Sequence, residues 1–290
     1  MKNIFEYIPF LILQKIAQTL GFNRLTSASK FLAFILHDLL KIRREVVIKN
    51  LSIAFPELKQ DKLNEISKKC YLHFSRFILE IMNIPKLNID EIKNLVECDE
   101  HDLSEIRKEY QKGRGLVFLT AHLGNWELGA ISIPVQMNLK IYPIIKPQRN
   151  PYVTNWLNKM RETHGNEVIP LGISIKKIYK VLTGGGLLGV VGDQRGPKEG
   201  QRVKLFGRDT AIFSGTAEIV AKTNTPLFCL FAVRVKDHYK AFVERIDVSD
   251  MQSGKEERIN AINQRYAELL EKYVRLYPEQ WFWMHNIWKY

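Results

Sequence analysis

His122 and Glu127, five residues apart, are the pair in this 290-residue chain best suited to acid–base chemistry. A histidine with one ring nitrogen held by a carboxylate and the other turned to substrate is the base-and-orienter arrangement of many hydrolases and transferases. The carboxylate fixes the tautomer and stabilises the imidazolium that forms when the ring takes a proton. A spacing of five is wrong for a single helix, where residues three or four apart share a face. The pair can converge only if His122 lies on a loop and Glu127 in the first turn of the next helix. Gly124 and Asn125, between them, have the chemistry of such a turn.

The elements that must position this pair are legible on both sides. Leu116 to Ala121 is a buried-strand pattern, and His122 follows it directly. Open α/β sheets gather their ligand sites just beyond the carboxyl ends of strands. Apolar runs at Lys140 to Ile145, Gly186 to Val191 and Pro226 to Val233 predict three more buried strands. Trp126 to Val135, Pro151 to Thr163, Ser174 to Leu182 and Ser214 to Lys222 read as the helices between them. This alternation predicts an α/β fold with a mostly parallel central sheet flanked by helices. Residues 1–110 read as a helical N-terminal region, with turns at Gly21, Phe55-Pro56-Glu57 and Ile84-Pro85, and 111–290 as the α/β catalytic domain. Glu256 to Leu276 is a long amphipathic helix, and Trp281 to Trp288 is a strongly aromatic tail.

Composition narrows the partners. Lys and Arg outnumber Asp and Glu by 43 to 31, a net charge of +12 that favours an anionic partner or surface. Nucleic-acid binding would rest on charge alone, because no recognition module is present. Cys70, Cys98 and Cys229 are scattered, which argues against a disulfide framework or structural zinc and for a reducing compartment. No metal site is expected: HExxH is absent and no third ligand has a recognisable spacing. Gly184-Gly185-Gly186 precedes its strand, the reverse of a dinucleotide loop. Ser214 lacks the nucleophile-elbow pattern and reads as a helix N-cap.

The N-terminus carries no secretory cleavage signal. Ile4 to Leu20 is apolar but interrupted by Glu6, Pro9, Gln14, Lys15 and Gln18, which makes it a poor spanning helix. Phe31 to Leu40 is too short to span and is followed by Lys41, Arg43 and Arg44. Apolar segments with basic flanks suit helices lying in a membrane interface.

His122-x4-Glu127 resembles the HX4(D/E) motif of the lysophospholipid acyltransferase superfamily. The fuller string Thr120-Ala121-His122-Leu123-Gly124-Asn125-Trp126-Glu127 resembles its late lipid A acyltransferase branch, and the likeness covers most of the chain. It includes Arg43-Arg44, Asn50-Leu51 and Phe55-Pro56-Glu57 upstream. Downstream it includes Lys146-Pro147, Asn150-Pro151, Arg161, Gly165, Asp193-Gln194, Phe206-Gly207, Gly215-x-Ala217 and Trp281-Phe282-Trp283-Met284-His285. Lys146, where the family often has Arg, and Asn286-Ile287, where it has a basic pair, depart from the pattern at positions suited to anionic contacts.

The resemblance implies direct acyl transfer from acyl-carrier protein to a hydroxyl of a lipid A precursor, at the cytoplasmic face of the inner membrane. His122 would be the general base and Glu127 its orienter. Asn125, Lys146, Arg149, Arg161, Asp193, Gln194 and Arg195 would contact substrate, and no cofactor is implied. Coenzyme A as donor, another glycolipid or a lysophospholipid as acceptor, and a non-catalytic membrane scaffold are the competing readings.

Overall fold

The computed structural model of the chain describes residues 2–172, 175–247 and 254–289. Helices α1 (Lys2–Leu20), α2 (Leu25–Phe34), α3 (Arg44–Ala54), α4 (Gln60–Ile81), α5 (Ile89–Leu95) and α6 (Glu100–Tyr110) fill the N-terminal third. A π-helical turn, Ile35–Leu39, continues α2. Within this helical stretch lies one unpredicted strand, β1 (Val96–Cys98). The chain then alternates through β2 (Leu116–Thr120), α7 (Trp126–Met137), β3 (Ile141–Ile145), α8 (Pro151–Glu162), β4 (Ile169–Pro170), α9 (Ile175–Thr183) and β5 (Leu187–Val191). A hairpin, β6 (Arg202–Leu205) and β7 (Arg208–Ala211), precedes α10 (Gly215–Thr223), β8 (Leu227–Val235), β9 (His238–Ile246) and α11 (Lys255–Leu276). Ser174, the expected start of α9, lies outside the described residues.

Seven strands form one sheet in the order β1-β9-β8-β2-β5-β3-β4, and every pairing but β8–β9 is parallel. The expected α/β class with a mostly parallel sheet flanked by helices is therefore the observed one. Both sheet faces are covered, which is why the strands read as unbroken apolar runs. Val117 and Leu119 of β2 pack with Ile262, Tyr266 and Leu270 of α11. Leu116 and Phe118, pointing the other way, pack with Leu128 and Ile131 of α7 and Ile106 of α6.

Residues 2–110 pack directly on the rest of the described fold. β1 extends the sheet at the β9 edge, and α4 joins both cores, with Leu63, Ile66 and Tyr71 in one and Phe77 and Ile81 in the other. At the far end α1 lies on α8, Tyr7 stacking on Tyr152 and Phe10 meeting Trp156 edge-on. The opposite side of α1 exposes Ile4, Phe5, Ile8, Leu11, Ile12 and Ile16. Among the described residues, no helix is long and apolar enough to cross a membrane.

Candidate active site

Parallel pairing of β2 with β5 sets Thr120 opposite Val191. Each strand then runs one residue further, through Ala121 and Gly192, and Gly192 N donates to Thr120 O at 2.9 Å. The next residues, His122 and Asp193, therefore emerge side by side at the carboxyl edge of the sheet. His122 Nδ1 donates to Asp193 Oδ1 at 2.6 Å, and the backbone N of His122 donates to Asp193 Oδ2 at 2.8 Å. Trp281 Nε1 adds a third donor to Oδ2 at 2.8 Å. A carboxylate with three short donors is satisfied despite its burial.

The electrostatics follow from this contact. Burial of the His122 ring alone lowers its pKa, and the Asp193 charge and hydrogen bond reverse that, leaving the imidazole above its usual value. For Asp193 burial pushes the pKa up, but the His122 and Trp281 contacts outweigh it and hold the carboxyl below its usual value. With Nδ1 engaged, Nε2 is the ring nitrogen left for a substrate.

The turn between His122 and α7 is built by two residues. Gly124 has φ +64°, and a Cβ there would lie 1.9 Å from Ala232 O, so no other residue fits. Asn125 caps α7, its side-chain oxygen accepting from Leu128 N at 3.0 Å. Its Nδ2 donates to Glu80 at 3.2 Å. Asn125, expected among the substrate contacts, is fully buried, and both ends of its side-chain amide are engaged in holding the turn.

Glu127 does sit in the first turn of α7, but the carboxylate that holds the His122 ring is Asp193 and not the expected Glu127. Glu127 instead takes a bidentate pair from Arg161 at the end of α8, Nε to Oε2 at 2.9 Å and Nη2 to Oε1 at 2.5 Å. The fork geometry of guanidinium and carboxylate explains the preference. Burial lowers the Arg161 pKa, and the Glu127 charge more than offsets this, so the cation is held firmly. Glu127 still acts on His122 at a distance, its charge adding to the rise in the ring's pKa. Arg161 reaches the site as the partner of Glu127, not as an uncommitted anion receptor.

His122, Glu127 and Arg161 line a cavity of about 370 Å³ between the sheet and α7 and α8. Its deep end is apolar, made by Phe118, Ala130, Ile141, Gly189 and Leu230. Its rim carries Lys146, Gln148, Arg149 and Gln194. Lys146 and Gln194, both expected among the substrate contacts, are exposed there. Arg149 is exposed as well and reaches across to Glu6 of α1 at 2.9 Å. Arg195 turns away from this rim: its N donates to His285 Nε2 at 3.0 Å and its Nη1 to Asn286 O at 2.5 Å. Asp193, expected to contact substrate, is buried under His122. Ser214 stands at the start of α10 but bonds Glu218 and caps no backbone group.

The aromatic tail closes the other side of His122. Phe282 N donates to His122 O at 2.9 Å, and Trp126 meets the imidazole edge-on at 4.8 Å between centroids. The structural roles of Trp281 and Phe282 could have been sought in the sequence only as an unusual density of aromatics. The role of Asp193 had a better signal, since it follows β5 at the same distance as His122 follows β2.

A strand-end histidine backed by a buried carboxylate, opening on a cavity with an apolar floor and a cationic rim, is suited to transferring a group with a hydrocarbon tail. Residues 4–290 match the model of the bacterial lipid A biosynthesis acyltransferases, and the chain belongs to that family. It is an acyltransferase of a kind that works on glycolipids. It is similar to a phosphatidylinositol mannoside acyltransferase of Mycolicibacterium smegmatis, 21% identical over 249 residues, covering 84% of this chain and 79% of that protein. It is also similar to the lipid A biosynthesis lauroyltransferase of Escherichia coli, 22% identical over 255 residues, covering 86% and 80%.

Proposed function

We propose that the protein transfers a fatty acyl chain from acyl-carrier protein to a hydroxyl of a lipid A precursor, as a step of lipopolysaccharide biosynthesis, with His122 as general base. The observation that carries this reading is the His122–Asp193 contact at the mouth of the 370 Å³ cavity. Nε2 takes the proton of the acceptor hydroxyl as its oxygen attacks the thioester carbonyl. Collapse of the tetrahedral intermediate breaks the C–S bond, and the leaving thiolate recovers the proton from the imidazolium. Asp193 stabilises that imidazolium, and no covalent enzyme intermediate is needed. Positioned base catalysis contributes roughly 10²–10⁴-fold, so donors to the developing oxyanion must add to it. The apolar deep end suits the acyl tail, while Lys146 and Arg149 suit phosphate groups of the glycolipid or the acidic carrier.

The bilayer is the proposed location, at the cytoplasmic face of the inner membrane. The exposed apolar side of α1 and the exposed Phe31, Phe34, Leu39, Leu40 and Ile42 support an interfacial mode. Lys2, Lys15, Lys30, Lys41 and Arg43 lie beside them to meet anionic headgroups. A second acceptor class, a mannosylated phosphoinositide or related glycolipid, is favoured by the likeness to the mycobacterial enzyme.

The test is incubation of purified protein with acyl-carrier protein thioester and lipid A precursor, followed by mass spectrometry of the lipid. Addition of one acyl chain, lost in His122→Ala, is the expected result. Acylation of a different glycolipid alone moves the acceptor, and full activity in His122→Ala removes the mechanism.

A further inference from the structure

His73, Phe77 and Glu80 of α4 are four and three residues apart, so they form one stripe along that helix. The stripe meets three consecutive residues of the reactive turn, each through a different side chain. His73 Nε2 donates to Gly124 O at 3.1 Å. The Phe77 ring stacks on Trp126 with 3.9 Å between centroids and 29° between planes. Glu80 accepts from Asn125 Nδ2 at 3.2 Å. We infer that this stripe is a positioning clamp that holds the 124–126 turn, and through it His122 and Glu127, in reactive register.

The inference rests on the acyl-transfer reading for its kinetics but on contacts alone for its geometry. The turn is also tied by backbone groups, Gly124 N to Gln280 O at 3.0 Å and Asn125 N to Ala232 O at 2.8 Å. Those bonds fix the path of the chain. They leave out the Gly124 carbonyl, the Asn125 Nδ2 group and the Trp126 indole, and α4 side chains contact all three. Trp126 in turn meets His122 edge-on, so the Phe77 stack reaches the imidazole in one step.

Glu80 could not serve alone. It is fully buried, and a buried carboxylate needs partners. Arg76 Nε at 2.9 Å, Arg234 and Tyr239 all bond it. Those bonds anchor α4 against β8 and β9 and so fix the stripe as a unit. His73 is held neutral, burial pushing its pKa down to about 4. It therefore brings a donor to Gly124 without a second cation beside His122.

The experiment compares His73→Leu, His73→Gln and Phe77→Leu with the parent enzyme, following kcat, KM and the His122 ring titration by NMR. His73→Leu removes the donor at similar bulk, and His73→Gln restores one. Small displacements of reacting groups can cost about 10²-fold in rate, so His73→Leu is expected to lower kcat roughly 10- to 100-fold with both KM values within about twofold. His73→Gln should recover most of that loss, and the His122 titration should shift in His73→Leu and Phe77→Leu. Folded variants with parental kcat and an unchanged His122 titration would overturn the clamp, as would a loss confined to KM or equal in Leu and Gln. If His73→Leu does not fold, Phe77→Leu decides by the same two readouts. If the parent shows no acyl transfer, that reading fails by itself, and the titration alone tests the clamp.

Discussion

Asp193 grips His122 at two points, the ring Nδ1 and the backbone N of the same residue. A carboxylate bound only to the ring would leave the side chain free to swing about its own torsions. Binding ring and main chain together fixes the imidazole relative to the strand that carries it. Trp281 holds the carboxylate itself, so a residue of the aromatic tail completes the anchor.

Asp193→Asn is expected to lower kcat/KM by roughly 10³-fold or more, because an amide cannot stabilise the imidazolium and can impose the wrong tautomer. The charge that raises the His122 pKa is also lost, so the residual activity should show its acid limb at lower pH than the parent. A pH–rate profile of both enzymes measures the two effects, and an unmoved acid limb in Asp193→Asn would count against the assignment.

With His122 as the proposed base, which acts only when neutral, kcat/KM should rise with pH and level off above the pKa of His122. Asp193 and Glu127 both raise that pKa against burial. The midpoint should therefore lie above the ordinary histidine value of about 6.5. Glu127→Gln should move it toward acid, and a profile flat through this range would reject His122 as base.

Glu127 and Arg161 should prove energetically coupled. Removing one partner of a buried pair leaves an uncompensated charge and costs about 3–5 kcal/mol. Glu127→Ala is expected to destabilise in that range, and Glu127→Ala/Arg161→Leu by less than the sum of the single changes. Urea denaturation of the four proteins gives the cycle, and strict additivity would show the pair to be uncoupled.

Gly189 is central in β5, and a Cβ there would meet Ile141 Cδ1 at 2.9 Å, at the apolar end of the cavity. A glycine inside a strand often marks a close approach by a ligand or a neighbouring chain. Gly189→Val should shrink the deep end and shift preference toward shorter acyl donors. Competition between donors of different length, read by mass spectrometry, tests this, and an unchanged preference in an active variant would refute it.

Vesicle co-sedimentation addresses the exposed side of α1. Phe5→Ser/Ile12→Ser should weaken binding to anionic vesicles, and added salt should weaken the parent's binding by screening its lysines. Equal sedimentation of both proteins would separate α1 from the bilayer.

Strands buried on both faces were the most legible part of the fold. β2, β3, β5 and β8 have no polar side to confuse their pattern, and His122 is marked by the end of the first. Short or edge strands were not legible. β1 has three residues and β4 two, and β9 alternates charged with apolar residues, so each takes its identity from its neighbour in the sheet. The site divided in the same way. The Gly124-Asn125 turn could be read because it is local. The choice between Glu127 and Asp193 as the carboxylate on His122 could not, since it depends on the β2–β5 register and on Arg161 competing for Glu127. The contacts of Asn125 were hidden for a related reason: neither its capping of α7 nor its bond to Glu80 can be read from the motif alone.

The Trp281 bond to Asp193 has a consequence for the order of biosynthesis. Translation delivers β2 and β5 before the aromatic tail, which follows every other part of the site. The catalytic pair can gain its last support only when residues 281 and 282 have left the ribosome. Until then the histidine is incompletely anchored, so the strands that carry the pair are complete before the pair is.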